Sequence, residues 1–164
     1  MNHTVVFVGE GKEAYYHQAF AEYKKRMAAF GSLEEVVLKP AKTPGGELSA
    51  EEIRLCLEKE AVEFERILKQ PKYQKCFKIA LCIEGKNFSS EQFGALMERA
   101  ANQGMSGIVY LIGSSWGIAE SVKARCDLRL SFSPMTFAHG LFRVMLAEQI
   151  YRACGILAGT KYHK

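Results

Sequence analysis

Short apolar runs alternate along this chain with longer segments of helical period. Thr4 to Val8 is continuously apolar apart from its first residue and predicts a buried strand. Lys12 to Ala29 places Tyr15, Phe20 and Tyr23 at helical intervals. Glu34 to Leu38 predicts a second strand, and Pro40 to Gly46, with Pro44-Gly45-Gly46, a flexible loop. Ser49 followed by Glu52 forms a capping-box signature for a helix that runs to Gln70, where Pro71 stops it. Phe77 to Ile83 predicts a third strand. Ser89 with Gln92 starts the next helix, which ends near Gly104. Ile108 to Ile112 and Leu128 to Phe132 predict strands four and five, with a short helix over Gly117 to Lys123 between them. A last helix covers Phe137 to Leu157. This alternation predicts an α/β fold with a mainly parallel sheet and helices on both faces.

Composition narrows the picture modestly. The 164 residues are 48% hydrophobic with a net charge of +4, ordinary for one domain spanning 1–164 and compatible with a nucleic-acid partner without requiring one. No apolar run reaches the 18 residues of a membrane span. The start of the chain has neither a basic region nor a cleavage site, so a cytoplasmic protein without a signal peptide is expected. Cys56, Cys76, Cys82, Cys126 and Cys154 form no C-x-x-C pair and no Cys/His cluster, which predicts reduced thiols and no metal site.

Ligands of open α/β sheets bind outside the carboxyl ends of strands. Gly9-Glu-Gly-Lys-Glu-Ala14 loosely matches a dinucleotide-binding turn. However, Lys39-Pro40 stands where an acidic ribose ligand belongs, and Glu10 would oppose the phosphates. Three later strand ends are richer: Leu81-Cys-Ile-Glu-Gly-Lys86, Ile112-Gly-Ser-Ser-Trp-Gly117 and Ser131-Phe-Ser-Pro-Met-Thr136. Glycine lets backbone approach a ligand closely, and small hydroxyl residues suit an adenine edge or a ribose. No phosphate-binding loop of triphosphate hydrolases is present. His139 and Arg143, four apart, share a helix face; they could hold a substrate group or a phosphate, or be a capping histidine and a surface arginine. Glu148 and Arg152 share that spacing and read as a helix ion pair or a subunit contact. Trp116 reads as a stacking platform or as packing, and Lys24-Lys25-Arg26 as a solvated face.

Ile112-Gly113, Gly117, Leu130-Ser131, Met135-Thr136-Phe137, His139, Arg143-Val144, Glu148-Gln149, Tyr151-Arg152-Ala153 and Tyr162-His163-Lys164 together resemble one family. It is that of the SPOUT-class methyltransferases acting on N3 of a pseudouridine in 23S ribosomal RNA. The likeness extends through Leu81-x-Ile-x-Gly-Lys86 to Val8-Gly9. Ser114, where the family usually has a second glycine, and Ala138, where it often has proline, depart from the pattern.

The resemblance implies a C-terminal trefoil knot, a homodimer and S-adenosylmethionine as methyl donor. The substrate it implies is a pseudouridine in helix 69, presented by the assembled ribosome. Leu81, Gly113, Phe132, Ser133, Pro134, Met135, Thr136 and Phe137 would form the cofactor pocket, with Gly113 leaving room for the ligand. His139, Arg143, Tyr162, His163 and Lys164 would serve catalysis. His139 or His163 would be the base, and Arg143 and Lys164 would stabilise charge or hold phosphate. Leu141, Met145, Ile150 and Leu157 would face a second subunit. Two rivals are a dinucleotide-dependent oxidoreductase using Gly9 to Ala14 and a non-catalytic ribosome-binding module.

Overall fold

The computed structural model describes residues 1–9 and 13–162. Its five strands are β1 (Asn2–Val8), β2 (Ser32–Leu38), β3 (Cys76–Asn87), β4 (Gly107–Ile112) and β5 (Leu128–Ser131). Its five helices are α1 (Ala14–Met27), α2 (Ala50–Leu68), α3 (Ser90–Asn102), α4 (Glu120–Lys123) and α5 (His139–Leu157). All strands pair in parallel in the order β2-β1-β4-β3-β5. Parallel strands need crossover connections, and the helices supply them. The helices α1, α3 and α5 pack together, as do α2 and α4.

Strand alternation divides the core into two. Val5, Phe7, Tyr110 and Ile112 point toward Phe20, Phe93, Leu146 and Ile150. Val6, Val8, Val109 and Leu111 point the other way, toward Phe64, Ile67, Ile118 and Val122. Near-continuous apolar strands are what two covered faces demand. Both capping boxes form: Ser49 and Ser89 each accept the N–H three residues on, and the Glu52 and Gln92 side chains accept in return.

Most boundaries shift by one or two residues from the sequence expectation, and three of the differences shape the site. First, α5 begins at His139 rather than Phe137, because residues 132–138 form a bent, irregular loop. Second, α4 is a single turn from Glu120, since Gly117 adopts φ +91°. Third, β3 continues to Asn87 instead of ending at Ile83. Both Leu81 and Lys86 pair with Leu130, so residues 82–85 bulge out and the strand resumes beyond them. Gly85 makes this possible: a Cβ there would lie 2.6 Å from the Leu130 carbonyl carbon. The bulge opens space at the carboxyl ends of β3, β4 and β5.

The expected subunit face of α5 needs one correction. Ile150 is fully buried in its own chain, against α1 and α3, so it is unavailable to a partner. Leu141 and Leu157 are exposed. The five cysteines are free thiols.

Candidate active site

Three loops meet at these strand ends around a cavity of about 430 Å³. Leu81 to Glu84 form one wall, Ile112 to Ile118 the second, and Leu130 to Phe137 the third, with His139 and Phe142 of α5 closing it. The structure thus brings together Leu81, Gly113, Phe132, Ser133, Met135, Thr136, Phe137 and His139. Pro134 lies within the third loop, exposed, but does not line the cavity.

Each loop is fixed by its own chemistry. In the second, the Gly117 N–H donates to the Ser114 carbonyl at 2.9 Å, closing a tight turn. The positive φ falls on Gly117, so Ser114 fits without strain. Gly113 serves that turn: a Cβ there would overlap the Gly117 carbonyl. The expectation that Gly113 simply leaves room for a ligand is therefore corrected; a side chain there would break the turn. In the third loop, the Ser133 hydroxyl accepts the Met135 N–H at 3.0 Å, and Ser131 Oγ donates to the Ser133 carbonyl. Phe132 and Phe137 both pack on Phe142.

Two features of the wall had no counterpart in the sequence reading. Lys123 reaches the cavity and pairs with Glu84 and Glu120. Burial opposes its charge, but the hydrogen bond and charge of Glu84 outweigh burial and hold the Lys123 pKa above its ordinary value. The second is Glu60, behind the cavity on α2, whose Oε2 accepts the Ser114 hydroxyl at 2.8 Å. A sequence signal for it exists. Glu60 falls on the inward stripe of α2 with Cys56, Phe64 and Ile67, where a carboxylate is out of place. Trp116 is 46% exposed and lines the cavity rather than filling the core.

His139 and Arg143 separate in role. The His139 ring packs at a tilt against Phe7, centroids 4.4 Å apart, and its Nε2–H donates to the Val8 carbonyl at 2.6 Å. A carbonyl can only accept, so Nε2 carries the proton, and in a neutral imidazole that leaves the lone pair on Nδ1. Arg143 is fully buried and does not reach the cavity. Its Nη1 pairs with Glu35 of β2 at 2.5 Å, and its guanidinium lies over Phe7 and Phe20. The expectation of a free cation for substrate is corrected accordingly: sheet and α1 enclose it.

Tyr162 folds back along α5. Its hydroxyl donates to Glu148 at 3.3 Å, its ring meets Tyr151 edge-on, and Arg152 covers its face. Burial, with Tyr23 and Glu148 nearby, pushes its pKa up to about 12. It therefore stands apart from the cavity of its own chain, beside a second cavity of about 400 Å³ that includes Tyr23, Phe88, Met145 and Glu148. The two cavities share Leu130, Ser131, Phe132 and Phe137. His163 and Lys164 lie outside the described residues, as do Glu10, Gly11 and Lys12 of the glycine-containing turn. Among the described residues no group of three or more His, Cys, Asp or Glu side chains could hold a metal, and no helix is long and apolar enough to cross a membrane.

Comparison with known proteins places this architecture. A family profile described as "Predicted SPOUT methyltransferase" matches residues 1–163. A protein of Clostridium botulinum (strain Kyoto / Type A2), named ribosomal RNA large subunit methyltransferase H, is 43% identical over 164 residues, covering all of both chains. A protein of that name from Shouchella clausii (strain KSM-K16) is 42% identical with the same coverage. The crystal structure of tRNA (m1G37) methyltransferase from Aquifex aeolicus superimposes with a TM-score of 0.56 at 15% identity, over 100% of this chain and 73% of that one, a likeness of fold. The chain belongs to the SPOUT methyltransferases, enzymes whose methyl donor is S-adenosylmethionine.

Proposed function

We propose that this enzyme methylates N3 of a pseudouridine in helix 69 of 23S ribosomal RNA, acting in the cytoplasm as a homodimer on the assembled ribosome. The full-length likeness to proteins named for large-subunit ribosomal RNA is the observation that carries this reading. The trefoil knot of the class belongs to the same reading, at the C-terminal part of the sheet. A net charge of +4 is a small electrostatic footprint, which favours a substrate held in place by the ribosome over free RNA.

The cavity suits the donor. Its volume falls within the roughly 300–1,000 Å³ of small-molecule sites. Leu81, Ile112, Phe132 and Phe137 give apolar walls for an adenine, and the two turns offer backbone polar groups for its edge and for ribose hydroxyls. When bound, S-adenosylmethionine supplies an electrophilic methyl group on a sulfonium. The rest falls to the chain. Attack by nitrogen requires loss of the N3 proton, and His139, with its lone pair on Nδ1, is the base that takes it. Arg143 works at one remove. By pairing with Glu35 and stacking on Phe7 it holds the first turns of α5, and with them His139, against β1. Tyr162, His163 and Lys164 complete the partner subunit's active site and contact the acceptor RNA, since Tyr162 stands apart from the cavity of its own chain. Exposed Leu141 and Leu157 belong to the contact between subunits.

The test is methyl transfer from labelled S-adenosylmethionine to 70S ribosomes, isolated 50S subunits and free 23S RNA from a strain lacking the modification. Mass spectrometry of nuclease fragments then locates the product. Label in helix 69 on 70S ribosomes, at N3 of pseudouridine, is expected. Label at another nucleotide, or equal transfer to free RNA, refutes the site or the ribosome dependence respectively.

A further inference from the structure

The carboxylate of Glu60 is 4% exposed and stands directly behind the second loop of the cavity. Its two oxygens are used separately. Oε2 accepts the Ser114 hydroxyl at 2.8 Å, and Oε1 accepts the Ala41 N–H at 3.2 Å. Among the described residues neither contact is an ion pair. A buried carboxylate held only by neutral donors is costly compared with an apolar residue in the same stripe of α2. What it achieves is geometric. It joins the turn after β4 to the loop after β2. Ser114 lines the cavity, and its carbonyl closes the turn with Gly117; Glu60 itself does not reach the cavity.

We infer that Glu60 is a positioning residue of the cofactor site, holding the 113–117 turn in its ligand-binding geometry through the Ser114 hydroxyl. A turn fixed before the ligand arrives loses less conformational freedom on binding. The inference rests on the cofactor reading of this cavity. It concerns a residue 54 positions away in sequence from the one it positions.

Trp116, the chain's one tryptophan, sits in this turn and half exposed, so its emission reports the turn directly. The experiment titrates S-adenosylmethionine into the full chain, by Trp116 emission and by calorimetry, with thermal melts alongside. Wild type is compared with Glu60→Ala, Glu60→Gln, Ser114→Ala and the Glu60→Ala/Ser114→Ala double variant. Glu60→Ala and Ser114→Ala should each weaken binding about tenfold (~1.4 kcal/mol) and shift the Trp116 emission of the free protein. The double variant should be no weaker than Glu60→Ala alone, since both changes cut one link. Glu60→Gln should stay within about threefold of wild type, because a carboxamide can accept from Ala41 and donate to the Ser114 hydroxyl. Wild-type affinity in Glu60→Ala with only a lowered melting temperature overturns the inference, as do additive losses in the double variant. If Glu60→Ala does not fold, wild-type affinity in Ser114→Ala overturns it alone. A wild-type chain that fails to bind S-adenosylmethionine refutes the cofactor reading itself, which separates the two failures.

Discussion

Helix α5 carries two polar pairs at a spacing of four, His139 with Arg143 and, further along, Glu148 with Arg152. Their sequence signatures are alike, but their surroundings are not. Arg143 reaches across the sheet to Glu35 and stacks on Phe7 and Phe20, with none of its surface in solvent. Arg152 stays on its own helix, 2.6 Å from Glu148, with both side chains partly exposed and Tyr162 folded over them. One pair sets the attachment of the helix to the sheet; the other fastens the tail to the helix. The distinction is energetic. The two glutamates are equally exposed, 19% each, so the distinction lies in the arginines: removing Arg143 empties enclosed volume, whereas water can replace Arg152, which is 25% exposed.

The largest expected effect is therefore at Arg143. Replacing it with alanine should destabilise the protein by roughly 3–5 kcal/mol, because Glu35 loses its partner and the space over Phe7 and Phe20 empties. Urea unfolding at 25 °C measures this; a loss under ~1 kcal/mol would erase the contrast between the two pairs. His139→Gln comes next. The amide can still donate to the Val8 carbonyl but cannot take a proton. We expect a fall of about 100-fold in kcat, equivalent to ~2.7 kcal/mol, with an unchanged melting temperature. An unaltered rate would move the base to another residue.

The inward side of the C-terminal half of α5 offers a control. Cys154 there faces His3, whose Nδ1 lies 3.0 Å from the Tyr110 hydroxyl. Burial first, then the nearby N-terminal charge, lowers the His3 pKa to about 3. The unfolded chain, with its ordinary histidine pKa of ~6.5, then binds more protons between those limits. Stability is full above pH ~6.5 and declines as the pH falls toward 3. Between pH 7 and pH 5 the histidine term amounts to about 2 kcal/mol. Chemical denaturation of wild type and His3→Gln at both pH values should show that term disappear in the variant. An identical pH response of the two proteins would mean that His3 charges without cost.

Smaller effects belong to the outer pair and its tail. Deleting residues 162–164 should lower methyl transfer at least tenfold, or ~1.4 kcal/mol of transition-state stabilisation, while S-adenosylmethionine affinity measured by calorimetry stays near wild type. Transfer at the wild-type rate would return the tail to a merely packed role. Arg152→Ala should cost only about 0.5–1 kcal/mol of stability in the same urea experiment. A loss as large as that of Arg143→Ala would show that the tail makes this pair effectively buried.

The periodicity of α2, α3 and α5, the apolar strands and both capping boxes are local properties, and all were legible along the chain. So was the cluster of three loops, because each carries its own glycine or serine at a strand end. The continuation of β3 past Ile83 was not legible, since Glu84-Gly85-Lys86 looks like a strand end until β5 is placed beside it. Nor was the burial of Arg143, whose partner is 108 residues away. Glu60 left a faint trace as a charge in an apolar stripe, but the stripe does not say which hydroxyl it meets.

The sequence by itself thus determined where helices and strands form, which face of each is apolar and which family the chain resembles, because these depend on neighbours within a few residues or on the pattern as a whole. Only the tertiary structure decided which polar side chains are enclosed. Whether Arg143, Glu60 and His3 are held dry or wetted depends on which faces meet, and partners far apart in the chain become neighbours only once the sheet has assembled.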